Sequence, residues 1–140
     1  MATKTDFTPE QWEALGFAVT DTMLYVTISN GTHFWESVGE TSAAARYLVD
    51  QARTSPSTFV RDLATDAAHH RDKSVKPEVM EPATLDRIAA ALAIVNEAAP
   101  DEAEAFKALI LGVADAAAEA KNGIDDAESN AIDKIKSAML

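Results

Sequence analysis

Apolar residues recur at helical spacing along most of the chain. Trp12, Leu15, Val19, Met23 and Val26 fall three or four apart, the period that places side chains on one face of an α-helix. The segment F-T-P-E-Q-W supplies the start: Thr8 as N-cap, Pro9 at the first helical position, Gln11 closing a capping box, and Phe7 and Trp12 at the hydrophobic-staple positions. The pattern predicts a first helix from Pro9 to about Ser29, stopped at Asn30-Gly31, where glycine can take the left-handed conformation that closes a helix. The β-rich run YVTIS continues this period, so it reads as the helix end and not as a strand.

Five further helices follow from the same reasoning. Ala44, Ala45, Leu48 and Val49 predict a second over about 41–52, and Ser55-Pro56 caps a third whose apolar face is Phe59, Val60, Leu63, Ala64 and Ala67, ending near Arg71. DKSVKPEVMEP, with two prolines, reads as an exposed connection or hinge over 72–82. Pro82 then opens a fourth helix carrying Leu85, Ile88, Ala89, Leu92 and Val95, and Pro100 to Glu104 opens a fifth, with a capping box and Phe106, Leu109, Ile110, Val113 and Ala117 inward. Asp125, three before Glu128, opens a sixth that packs Ile132, Ile135 and Met139. Abundant alanine in the fourth and fifth lets helix axes approach closely. The expected fold is all-α, one domain over 1–140, a compact bundle of about six helices built around the first and fifth. Residues 12–52 and 106–139 share the order long helix, Asn-Gly stop, second helix, which suggests two pseudo-repeated helical hairpins packed against each other.

The first helix carries a second apolar face, Phe17, Leu24, Tyr25 and Ile28, with Asp21 as its sole charge from Ala14 to Phe34. A helix apolar all round is either central to its bundle or buries one face in a partner. Phe17, Asp21, Leu24, Tyr25 and Ile28 are therefore candidate partner-binding residues, for a protein partner or a second copy in a homodimer. On either reading a lone carboxylate in apolar surroundings is costly and needs a satisfied environment. Arg46, or water, is the expected partner of Asp21.

Charge narrows the classes of function. The formal net charge is −11 over 140 residues, which opposes binding to nucleic acid or anionic lipid, since phosphate contacts need a basic stripe. Residues 97–128 hold nine acids against Lys107 and Lys121, while six acids and six bases balance over 53–96. The surplus lies toward one part of the chain and predicts a negative end that attracts cations or a basic partner. With no cysteine there is no disulfide, thiolate metal site or thiol nucleophile. No signal-peptide pattern opens the chain, and no apolar run approaches about 18 residues, so a cytoplasmic protein is the expectation.

Does AEAKNGIDDAESNAI hold a metal ion? An EF-hand loop needs oxygen ligands at positions one, three, five and twelve around a glycine at six. Gly123 at six puts Ala118, Ala120, Asn122 and Ser129 there, and Gly31 gives Val26, Ile28, Asn30 and Ser37. Neither frame fits, and Asn-Gly is better explained as a helix stop. A weaker cation site survives: Asp115 and Glu119 share a helix face, where like charges repel by roughly 0.2–0.5 kcal/mol. A divalent ion held by them with Asp126 or Glu128 across the turn would relieve that. Asp62, Asp66 and His69 or His70 form a second candidate, a mixed N/O set on one helical face; its plainer reading is a solvated face, with His70 bordering the core. His33 is the remaining histidine. G-x-S-x-G, H-E-x-x-H, P-loop and G-x-G-x-x-G patterns are all missing, so no catalytic residue and no cofactor are assigned.

The run VADAAAEAKNGIDDAESNAIDKIKSAM, 113–139, resembles the C-terminal hairpin of TerB-like tellurite-resistance proteins, in which an Ala-rich helix ends in an Ala-Asp-Gly-type turn before an acidic helix start. FTPEQWEALGFAV, 7–19, resembles the family more distantly. The resemblance implies an all-helical fold and a non-enzymatic role in stress- or metal-linked assemblies. Where the family has aspartate before glycine this chain has Asn122, and Asn30 in the first hairpin, which removes carboxylates that inherited metal binding would use. The function expected is a non-catalytic acidic interaction protein; the alternative is a small divalent-metal-binding or metal-sensing protein.

Overall fold

The computed structural model describes residues 3–28, 43–68, 80–119 and 126–140, without the side chains of residues 27, 28, 43, 68, 80, 118, 119 and 126–128. Six α-helices account for most of them: α1 Pro9–Ile28, α2 Ala43–Thr54, α3 Thr58–Ala68, α4 Met80–Ala98, α5 Ala103–Glu119 and α6 Asp126–Ala138. Short 3-10 turns precede α1 at Lys4–Asp6 and α5 at Pro100–Glu102. Among the described residues there is no strand, and none of the helices is long and apolar enough to cross a membrane.

The first helix starts as its sequence dictates. Thr8 N–H donates to Gln11 Oε1 at 2.9 Å, and Gln11 N–H donates to Thr8 Oγ1 at 3.1 Å, so each otherwise orphaned backbone donor is satisfied by the other residue's side chain. Phe7 meets Trp12 with ring centroids 5.6 Å apart. Both rings lean on Phe59 of α3, at 5.5 and 5.9 Å, and Phe59 approaches Phe106 of α5 at 6.5 Å. The staple is thus also the hub that joins α1, α3 and α5 at one end of the bundle.

α1 packs against α3, α4, α5 and α6, and α5 touches every other helix, so the bundle is built around these two, as the pattern predicts. Buried alanines such as Ala18, Ala91, Ala114 and Ala117 let the axes come close. α2 finds its main packing on α3 and α5, whereas α5 and α6 pack directly on each other. The two proposed hairpins therefore place their second helices differently, and both Asn-Gly stops lie outside the described residues.

Several local expectations need correction. α4 begins at Met80, so residues 80–82 of the expected connection form its first turn; proline is tolerated there because first-turn N–H groups lack an intrahelical acceptor. The rest of 72–82 lies outside the described residues. Ala89 is exposed and Ala91 is buried in its place. Val49 is likewise exposed, because α2 turns Ala44 and Leu48 inward. The cap of α3 is Ser57 and not Ser55: Val60 N–H donates to Ser57 Oγ at 3.2 Å, while Ser55 Oγ accepts from Ser57 N–H. The turn before α5 has no side-chain cap. Its Glu102 is buried and instead accepts from Ser57 Oγ at 2.8 Å, which fastens that turn to the N-terminus of α3, where a carboxylate is favoured by the helix dipole.

Candidate functional site

The second face of α1 is covered by α4. Asp21 has no exposed side-chain surface and forms an ion pair with Arg87 of α4. The Arg87 guanidinium also sits over the Phe17 ring, 5.3 Å from its centroid, a cation–π arrangement. Arg87 therefore pairs with Asp21, where Arg46 or water was the expectation. Tyr25 is buried, and its hydroxyl donates to Glu81 Oε1 at 3.0 Å. Leu24 is half-buried against the core, and the Ile28 side chain lies outside the described residues. Of the residues proposed to meet a partner, Asp21 and Tyr25 are thus interior groups. α1 is apolar all round because it is the central helix.

The same Glu81 oxygen receives Lys134 Nζ from α6, so one carboxylate near the N-terminus of α4 ties three helices together. The Lys134 ammonium, then the Tyr25 hydroxyl, hold the Glu81 carboxyl below its usual value, against a smaller opposing effect of burial. Burial, and then the hydrogen bond to Glu81, push the Tyr25 hydroxyl well above the ordinary tyrosine value. Beside this knot lies a shallow, open patch of surface between α4 and α6, lined by Leu85, Asp133, Lys134, Ser137 and Ala138.

Asp115 is exposed on α5. Glu119 ends that helix and Asp126 and Glu128 lie in the first turn of α6, but the three side chains fall outside the described residues, so the four-carboxylate set is not assembled by what is described. Among the described residues no three metal-ligating side chains cluster. Asp66 is committed elsewhere: it accepts from Trp12 Nε1 at 2.7 Å and pairs with Lys4 at 3.0 Å, which pins the N-terminal turn and α1 to α3. Asp66 keeps part of its side chain in solvent. Asp62 is half-buried on the same helix, and His33, His69 and His70 lie outside the described residues.

Acids outnumber bases at the described surface. Glu97, Asp101, Glu104 and Asp115 are all exposed, and Lys107 answers Glu104 at 3.5 Å. Glu81, Arg87, Lys134, Ser57 and Glu102 were not singled out by the sequence. For Glu81 a signal existed: a glutamate in the first turn of a helix, hidden by starting that helix at Pro82. No known family model matches this chain, and no curated protein or solved structure matches it significantly.

Proposed function

We propose that the protein is a non-catalytic acidic helical scaffold that binds a protein partner through its negative surface. The observation that carries this reading is the division of its carboxylates. The buried Asp21, the part-exposed Asp66 and Glu81, and the buried Glu102 each hold two or more elements together through Arg87, Trp12, Tyr25 with Lys134, and Ser57. Those toward the corner of α4 and α5 and along α5, namely Glu97, Asp101, Glu104 and Asp115, point to solvent. A partner that presents basic groups gains electrostatic steering from such a surface and pays little desolvation at its rim. The TerB-like resemblance over 113–139 adds a stress-linked setting to the proposal.

Affinity capture from a native extract tests it, with the wild-type chain beside an E97Q/D101N/E104Q variant. The reading expects discrete basic partners on the wild type that are depleted on the variant. Identical capture by the two chains would count against the acidic corner, and light scattering on the same samples decides whether a second copy is among the partners.

A further inference from the structure

Three threonines lie in the interior, and two of them satisfy their hydroxyls within their own helix. In α1, Thr20 Oγ1 donates to the Gly16 carbonyl at 3.2 Å and Thr22 Oγ1 to the Ala18 carbonyl at 2.7 Å. Thr84 of α4 is as deeply buried, yet its Oγ1 has no hydrogen-bond partner among the described residues. A buried hydroxyl in that state is costly, and valine, of nearly the same shape, would fill the position without the cost. The position of Thr84 follows from its neighbours on α4. Three residues before it Glu81 receives the Tyr25 hydroxyl, and three residues after it Arg87 pairs with Asp21. Residues three apart share a helix face, so Thr84 lies between these two contacts on the side of α4 that meets α1. The pairs Tyr25–Glu81 and Asp21–Arg87 run antiparallel, which sets Thr84 opposite the single turn of α1 from Asp21 to Tyr25. In that turn the Thr22 hydroxyl is committed to Ala18, and Asp21 supplies a fully buried carboxylate. A carboxylate offers two oxygens and about four acceptor sites, so it can take a further donor besides Arg87. No direct bond joins it to Thr84.

From the unpartnered hydroxyl and the carboxylate across the seam we infer that α1 and α4 bind one internal water molecule between them. The water donates to the Asp21 carboxylate and is hydrogen-bonded to Thr84 Oγ1. Two to four polar partners are what a buried water needs, and waters so held are part of the fold and costly to remove. The site explains why a threonine stands where shape alone asks for valine. It also adds a third member to the polar layer of Asp21 and Arg87, a layer that is matched in one register of α4 on α1 and broken by a slip of one turn.

Oxygen-17 relaxation dispersion of the solvent tests the site in the full chain, because it detects long-lived internal waters through the water oxygen and does not respond to exchanging hydroxyl protons. The wild type is compared with Thr84→Val, which removes the hydroxyl at nearly constant shape, and with Thr84→Ser, which keeps it. The expected result is that Thr84→Val loses the contribution of one long-lived water and Thr84→Ser retains it. In urea unfolding, Thr84→Val is expected to show an unfolding constant about tenfold larger than the wild type, although valine is the more apolar side chain. Absence of any long-lived water in the wild type overturns the site without recourse to a variant. Identical dispersion in the wild type and Thr84→Val, or a Thr84→Val chain as stable as the wild type or more so, overturns it as well, and leaves the hydroxyl turned to a carbonyl of its own helix.

Discussion

Asp21 shows what one buried charge demands. Its carboxylate lies inside an otherwise apolar helix, and its ion pair with Arg87 is what makes that position tolerable. Removing the guanidinium leaves the negative charge in the interior without it, so Arg87→Ala is expected to cost about 3 kcal/mol. Asp21→Asn in the Arg87→Ala background should restore part of that, because the charge that suffers is then gone; urea unfolding of the three variants checks it. The two helical glycines among the described residues give opposite expectations. A Cβ at Gly112 would collide with the Tyr47 hydroxyl and ring, so Gly112→Ala should destabilise by about 1–3 kcal/mol, the usual cost of overpacking. A Cβ at Gly16 meets nothing within 4 Å, so Gly16→Ala should stabilise by about 1 kcal/mol through helix propensity alone. The sequence made the demand of Asp21 legible but not its answer. Arg87 lies 66 residues away, and only the antiparallel approach of α4 to α1 brings it near.

At the level of elements, the starts and faces of helices were mostly legible because they are local. The Thr8–Gln11 box, the Phe7–Trp12 staple and the inward faces of α3, α5 and α6 follow from spacing alone. What failed was set by neighbours. α2 exposes Val49 and α4 exposes Ala89 because their docking partners fix the rotation of each helix, and Pro82 hid the first turn of α4. The Tyr25–Glu81–Lys134 knot, drawn from α1, α4 and α6, was invisible for the same reason, yet it sets a pH dependence. Glu81 titrates below its ordinary 4.5 when folded, so the stability it contributes is present above about that pH and is lost as pH falls through the lowered folded value. Tyr25 and Tyr47 are both raised above 10.0, Tyr47 by burial and then by Asp115. Above about pH 10 the unfolded chain releases those protons while the folded chain retains them, and stability falls. Melting curves across pH should therefore show an acid limb that Glu81→Gln makes shallower and an alkaline limb that Tyr25→Phe with Tyr47→Phe makes shallower.

For the whole molecule the dominant fact is a net charge of −11 on 140 residues, concentrated in a stretch whose described acids are largely exposed. Self-repulsion of such a surface destabilises the compact state, so moderate salt should raise the melting temperature, in contrast to a fold held together by surface ion pairs. Composition gave this charge and its uneven placement along the chain, but it could not say which carboxylates are structural. Asp66, a candidate metal ligand by its spacing, accepts from Trp12 and pairs with Lys4. If the exposed acids serve a partner and not an ion, calcium, zinc and manganese at micromolar concentration should leave the melting temperature unchanged, since a ligand that binds the folded state well above its Kd must shift it.

The most direct measurement is the affinity of a captured partner as a function of ionic strength, with the wild type and the E97Q/D101N/E104Q variant. Recognition by the acidic surface predicts a Kd that rises steeply with salt in the wild type and less steeply in the variant. A Kd that does not move with salt, or that responds identically in both chains, would contradict it.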